Sequence, residues 1–346
     1  MNARRTEAGT SAVGAVLTRP PRSRLVAFGP IVLTAVGLAL PPLWLGDSRL
    51  MMGIAIGGLL FAAYTIAFNV IFGSTGQLFL CIGALAGVGG YTSVILTDQA
   101  ELPLLFGLAI GTALATVLGG IFSWVAVRRS LDVIFTGIVT LAFSLAFQNF
   151  VLGQRGLTGG ETGLVVRAGS GSILQDQIPP YYMFLVLVVL YLVIYRLLQR
   201  SHIGWAFRGL RDDEVAAELA GVNVARYRVY AGLIGSAMLG LAGALFAHNE
   251  GFIGPTTFAF GDVDVRVLVM LAFGGIGTLL GPVLGAVTFT VLDEILVEFA
   301  QLRVVLYGML ILALFLGFKR GAIPTLQSLL RSRRTPISPP QGGSTA

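Results

Sequence analysis

The chain has 346 residues, 55% of them hydrophobic and only 12% charged, and a mean hydropathy of +0.84; so little polar surface excludes a soluble globule of this size. The formal charge of +6 does not point to nucleic acid, because the arginines flank apolar runs and do not gather in one patch. A hydrocarbon core about 30 Å thick takes roughly 20 apolar residues per helical crossing. The alternation of barrel strands is missing, so an all-α, polytopic transmembrane helical bundle is expected.

Residues 1–23 mix Arg, Ser, Thr, Gly and Pro without apolar periodicity and read as a disordered cytoplasmic tail. A signal peptide is the weaker reading, since the apolar run from Leu25 to Leu45 is long enough to span and no small-x-small cleavage pattern ends it. Further apolar segments lie near 50–72, 76–97, 102–127, 133–152, 181–199, 228–247, 265–280, 282–300 and 303–318, for about ten membrane segments in all. The segment 265–280 is short and interrupted by glycine, and is expected to be broken or re-entrant. The membrane domain is therefore 24–320, with a polar loop at 200–228 and a polar tail at 321–346.

Loop charges orient this map, because cytoplasmic loops carry the excess of Arg and Lys. With both termini cytoplasmic, the inside set holds Arg128, Arg129, the arginines from Arg200 to Arg228, and the tail with Lys319, Arg320, Arg331, Arg333 and Arg334. The outside set holds Asp98, Glu101, the 153–180 loop and the acidic 249–264 segment.

RDDEVAAELAGVNV, residues 211–224, is a water-loving stretch inside an apolar chain. Asp212, Asp213 and Glu214 suit the N-terminal end of a short amphipathic helix, and Gly221 followed by Asn223 suits its exit. Val215, Leu219 and Val222 share one face, expected to lie on the inner surface of the bundle, while Arg211, Glu214 and Glu218 share another. A helix that merely joins two spans at the lipid surface is the alternative. Its net acidity disfavours that, because anionic cytoplasmic lipids attract basic helices, and a docking protein is the better match. Arg208 and Arg211 serve both as partner contacts and as inside charges.

Gly274, Gly275, Gly277 and Gly281 with Pro282 allow an unwound backbone at membrane depth, where freed amides and carbonyls line a passage. Close helix packing explains any one glycine equally well, but the cluster favours a break. Gln77 and Tyr91 are candidates for hydrogen bonds to a zwitterionic substrate, although a tyrosine near a span's end more often anchors at the interface. Asn69, Gln148 and Asn149 are expected to bond between helices. Asp264 and Arg266 could pair at the outer mouth.

Catalytic chemistry finds little support: two histidines lie 46 positions apart, Cys81 is the single cysteine, and Lys319 is the single lysine and follows no glycine-rich loop. No catalytic residue, metal site or cofactor is expected in this chain, and ATP is not bound by it in the P-loop manner.

Three stretches resemble the permease subunits of ABC importers of the branched-chain amino acid family. The first is RSHIGWAFRGLRDDEVAAELAGVNVARYRVYA with GLAGALFA and LAFGGIGTLLGPVLGA, between Arg200 and Leu296. The second is GQLFLCIGALAGVGGYT, residues 76–92, and the third GLTGGETGL, residues 156–164. In that family the first element contains an EAA-type loop whose short helix sits in a groove of the ATP-binding subunit. The resemblance places Glu214, Ala216, Ala217 and Gly221 on that loop, with Arg208, Arg211, Asp212, Asp213 and Glu218 beside them. It makes Gly76, Gln77, Tyr91, Thr92, Gly274, Gly275 and Gly277 candidates for the translocation pathway, and Thr158, Gly159 and Gly160 an outer loop. At Phe79, Cys81, Ile82, Leu85 and Ala86 the chain is apolar where the family commonly has Ser, Gly, His and Phe, which separates its cargo from a simple transfer of specificity.

The resemblance implies a non-enzymatic transport subunit in a bacterial or archaeal plasma membrane. Its partners would be two ATP-binding subunits, a second similar permease subunit, a soluble substrate-binding protein and membrane lipid. Branched-chain or related small amino acids are the expected cargo; urea, short amides or other small organic solutes are the alternative. An ATP-independent secondary transporter would need buried ionisable residues that the segments scarcely supply.

Overall fold

The computed structural model describes residues 24–42, 48–166 and 178–297, together with positions 308, 309 and 312. The expected tails at 1–23 and 321–346 lie outside the described residues, as does nearly all of the expected segment 303–318. The helices are α1 (Arg24–Ala39), α2 (Arg49–Thr75), α3 (Ile82–Asp98), α4 (Leu104–Arg128), α5 (Val133–Gly153), α6 (Arg155–Thr158), α7 (Ile178–Arg200), α8 (His202–Asp212), α9 (Glu214–Leu219), α10 (Val224–Glu250), α11 (Asp264–Gly274) and α12 (Gly281–Val297). Two short strands, β1 (Leu164–Val165) and β2 (Phe252–Ile253), pair antiparallel.

Five of these helices, α2, α4, α5, α7 and α10, are long and apolar enough to cross a membrane. The chain is an all-α membrane protein, and among the described residues the full crossings so qualified number five. Helices α1, α3 and α12 are shorter, at 16, 17 and 17 residues. Helix α11 has 11 residues, about 16 Å at 1.5 Å per residue, half of what a crossing needs. The expected break of the segment 265–280 is therefore present.

Two further boundaries differ from the sequence reading. The segment 76–97 is helical only from Ile82, because Gly76 ends α2 in a left-handed turn (φ 71°) and residues 76–81 run without helix. The segment 249–264, expected outside, is only partly at the surface: Glu250, Phe252, Thr256, Gly261 and Asp262 are exposed, but Phe258, Val263 and Asp264 are buried in the bundle. Non-helical backbone is tolerated at this depth because protein, and not lipid, surrounds it.

Helix α10 is the axis of the bundle and packs on α2, α3 and α4. Small residues form these seams. A Cβ on Gly119 would overlap the Ser236 hydroxyl, one on Gly232 the Ser123 hydroxyl, and one on Gly240 the Ala115 methyl. The pairs run in opposite senses along the two sequences, so α4 and α10 are antiparallel. Against α3 the numbers rise together: Ala86 meets Gly243, Gly90 meets Ala247, and Ser93 bonds His248 at 2.9 Å. Helices α3 and α10 are therefore parallel. Such contacts replace the hydrophobic drive that lipid removes.

Helices α4 and α5 leave apolar side chains such as Phe106, Ile121, Trp124, Phe135, Ile138 and Phe150 exposed, as befits a face toward lipid or another apolar chain. The loops divide into two groups at opposite ends. Gln99 bonds the Leu157 carbonyl at 3.3 Å and Val166 N–H bonds Gly251 O at 2.9 Å, joining 98–101, 154–166 and 251–253 at one end. The arginine-rich 200–228 region and the 275–280 loop meet at the other, where Gly277 lies against Arg211 and Gly73. For these loops the grouping is the one that the loop charges predict.

Candidate functional site

The polar loop is two helices, where the sequence reading had one from 212 to 222. Ser201 caps α8, accepting from Gly204 N–H at 3.3 Å, and the helix buries Gly204, Ala206, Phe207 and Leu210 while exposing Trp205, Arg208 and Arg211. Asp212 is its last residue. Asp213 is extended (φ −160°, ψ 109°) and caps α9 by accepting from Ala216 N–H at 3.0 Å. At the far end Gly221 turns left-handed (φ 85°), and its N–H and that of Val222 close on Glu218 O and Ala217 O. Asn223, expected at the exit of this helix, instead caps the next one, accepting from Arg226 N–H at 3.0 Å.

The orientation of α9 also reverses an expectation. Its apolar face does not rest on the bundle: Val215 is 66% and Leu219 85% exposed. Ala217 is the buried residue, against Gly209, while Ala216, Glu214 and Glu218 are exposed. Only a small side chain fits over that glycine, so the alanine turns inward and the larger apolar groups outward. Glu214 is tied to Arg228 of α10 at 2.8 Å. A pair this exposed contributes little stability, about 0–1 kcal/mol, but it fixes which way α9 faces.

The break at 76–81 is held by polar groups from three other helices. Ser123 of α4 donates to Gln77 Oε1 at 3.2 Å, and Leu80 N–H donates to Thr140 Oγ1 of α5 at 2.9 Å. Gln77 Nε2 is buried without a partner among the described residues. Cys81, the residue before α3, makes no side-chain cap. Its place is taken by Asp264, whose carboxyl oxygens accept from Ile82 N–H and, at 3.2 Å, from Gly83 N–H. Asp264 is fully buried. It thus caps α3 from the start of α11, joining two broken helices end to end near mid-depth. It does not pair with Arg266, which reaches Asp262 at 3.7 Å and Asp293 at 3.6 Å.

The glycine cluster makes the second break. Gly275 (φ 114°) and Gly277 (φ 74°) take conformations that other L residues rarely adopt, and Gly274 packs directly on Gly281 where the chain turns back. Asn69 of α2 brackets the loop, donating to Thr278 O at 2.9 Å and accepting from Gly277 N–H at 2.8 Å. The interhelical bonding expected of Asn69 is thus made to a loop backbone.

At the opposite end, Thr158 is buried and its hydroxyl donates to Val151 O and Gln154 O, while Gly159, Gly160 and Gly163 all have positive φ. The β1–β2 pair clasps this loop to the end of α10. Tyr91 is buried, not an interfacial anchor, and meets Phe147 and Phe258 edge-on. With Thr92, Phe143, Phe147, Phe150 and Thr158 it lines an apolar cavity of about 560 Å³ beneath the loop.

The predicted pathway residues therefore do not form one cluster. Gly76, Gln77, Gly274, Gly275 and Gly277 lie toward the arginine-rich 200–228 end, and Tyr91 and Thr92 lie toward the other, about 14 Å along α3 from Ile82. The sequence reading missed Ser123 and Thr140, and took Arg228 only as an inside charge without its pairing to Glu214; all three are ordinary residues until their distant partners are known. Among the described residues no group of His, Cys, Asp or Glu is arranged to hold a metal ion.

Comparison with known proteins bears on this arrangement. The family model described as branched-chain amino acid transport system / permease component matches residues 50–318. The permease protein LivM of the high-affinity branched-chain amino acid transport system of Escherichia coli (strain K12) is 26% identical over 310 residues, covering 82% of this chain and 72% of the relative. The autoinducer 2 import system permease protein LsrC of Enterobacter sp. (strain 638) is 27% identical over 283 residues, 78% of this chain and 77% of the relative. The ribose import permease protein RbsC of Haemophilus influenzae is 22% identical over 224 residues, 63% and 68% respectively. No solved structure matches the chain significantly. With a family model covering both broken helices and the two-helix polar loop, the chain belongs to the branched-chain amino acid transport system permease family of ABC transporters.

Proposed function

We propose that this permease is the membrane-spanning subunit of an ATP-driven importer for branched-chain or related small amino acids, and that α9 is the point where separate ATP-binding subunits push on it. The observation that carries the reading is the outward presentation of Val215 and Leu219 at the arginine-rich end of the bundle. Two exposed apolar side chains on a capped, ion-paired helix cost free energy in water and suit a partner's groove. In this reading the arginine-rich end is cytoplasmic, both termini lie on that side, and an external binding protein delivers cargo at the Thr158–Gly160 end. A second permease subunit would complete the pathway beside α4 and α5. Closure of the ATPase pair would rock α8 and α9, and with them the Gly274–Gly281 loop, between two states of different affinity for cargo.

The relatives named for ribose and autoinducer 2 keep the cargo of the family broad. The lining of the 560 Å³ cavity supports an aliphatic side chain over a sugar, because Val88, Leu114, Leu118, Phe143 and Phe147 make most of its wall apolar and leave the Tyr91, Thr92 and Thr158 hydroxyls as its few polar groups. Urea or a short amide would leave most of that apolar wall unused.

Val215→Asp with Leu219→Asp is expected to reduce co-purification of ATP-binding subunits more than tenfold and to abolish ATP-dependent uptake, since each apolar contact is worth about 1.5–3 kcal/mol when buried. Insertion and thermal stability of the chain should be unchanged, because neither side chain is packed on the bundle. Normal association and uptake in the double variant would refute the docking assignment.

A further inference from the structure

Where α8 meets the ends of α2 and α7, a cavity of about 150 Å³ is lined by Ser74, Tyr195, Gln199, Arg208, Arg211 and Gly277 among others. We infer that this cavity is a binding site for the phosphate of an anionic phospholipid headgroup.

Charge is the first reason. No carboxylate lines the cavity, and among the described residues no ion pair engages Arg208 or Arg211, although Asp212 and Asp213 follow them directly in the chain. Arg208 stacks over the Trp205 ring, 4.5 Å from its centroid, which engages the face of the guanidinium and leaves its N–H groups for an acceptor. The guanidinium of Arg211 rests beside Gly277. Guanidinium groups present paired donors that match phosphate oxygens, and Ser74, Tyr195 and Gln199, which hydrogen-bond among themselves, make the rest of the wall polar. The volume suits one phosphate with its ester links.

Position is the second reason, and it selects a lipid over a free anion. Leu197 is 54% and Trp205 69% exposed on the elements that form the cavity. An apolar flank topped by tryptophan and arginine marks the level at which acyl chains give way to headgroups. A lipid whose chains lie along the end of α7 would place its phosphate in reach of both arginines. Because Arg211 also touches the glycine loop, the bound headgroup would tie α8 to the Gly275–Gly277 turn. The inference rests on the proposed function only for the side of the membrane on which the site lies.

The test uses the full-length chain with the subunits that co-purify, in nanodiscs containing phosphatidylglycerol and phosphatidylcholine, with retained lipid counted by native mass spectrometry. Wild type should retain phosphatidylglycerol in about 25-fold preference, the product of about fivefold from each arginine. Arg208→Gln and Arg211→Gln should each reduce that preference about fivefold, and the double variant should remove it, since each arginine near an anionic lipid contributes about that much. Ser74→Leu, which fills the cavity from the α2 side, should lose the preference with both arginines present. Arg129→Gln, outside the cavity, should keep it.

Wild-type phosphatidylglycerol retention in the double variant and in Ser74→Leu would overturn the site. Saturation by inorganic phosphate with no preference between the two lipids would overturn the lipid assignment in favour of a free anion. Release of the lipid whenever ATP-binding subunits are bound would overturn it in favour of an acidic side chain of the partner. The same samples report ATPase association, so loss of that partner with lipid retained counts only against the proposed coupling.

Discussion

Asp264→Ala is expected to lower the stability of the bundle by about 3 kcal/mol or more and to abolish transport. The carboxyl accepts two backbone N–H groups at the start of α3, and both would be left in a site that water does not reach. Each buried donor without a partner costs about 1–3 kcal/mol, and no side chain at Cys81 can take over the cap. The loss is structural at both ends, because Asp264 is also the first residue of α11. Asp264→Asn should fall between wild type and alanine: an amide oxygen can accept one N–H, while its own NH₂ faces the other donor. Unfolding in nanodiscs, followed by heat or by denaturing detergent, checks the order wild type, Asn, Ala. Equal stability of the three would mean that the two broken helices are held by packing alone.

Gly243→Leu should be at least as damaging, by a different mechanism. A Cβ at this position would overlap the backbone carbonyl of Ala86, which has no rotamer to yield, so α3 and α10 must separate. Overpacking costs about 1–3 kcal/mol where a core can adjust. Here the same seam holds Gly89 against the Gly240 carbonyl and Gly90 against Ala247, so one separation loosens several contacts. Gly53→Leu is the control, because its Cβ meets open space. Expression and thermal unfolding should be near normal for Gly53→Leu and poor for Gly243→Leu; parity between them would show that the α3–α10 seam is not close-packed.

Which parts of this architecture could be read from the chain follows from how local their causes are. The break before Pro282 and the separation of the 200–228 region from the 98–101, 154–166 and 251–253 loops depend on runs of neighbouring residues, and both appear in the structure, whereas five of the expected segments appear as helices long enough to cross a membrane. The start of α3 depends on Asp264, some 180 positions away, and nothing in GQLFLCIG marks where the helix begins. The direction of α9 was misread for a related reason. Spacing tells that Val215 and Leu219 share a face, but whether that face turns to the bundle or away is decided by the fit of Ala217 over Gly209 and by the reach of Arg228 to Glu214. Tyr91 was read as an anchor because its position in the segment suggests a span end; its burial comes from Phe258, on a non-helical stretch that descends into the bundle.

The central claim is that α9 faces the cytoplasm and touches an ATP-hydrolysing subunit. Leu219→Cys tests it directly, since Cys81 is buried and gives little background labelling. In intact cells a membrane-impermeant maleimide should fail to label this cysteine, and in inverted vesicles a short bifunctional reagent should cross-link it to an ATP-binding subunit. Labelling from the outside, or cross-linking to no nucleotide-hydrolysing partner in the assembled transporter, would contradict the account.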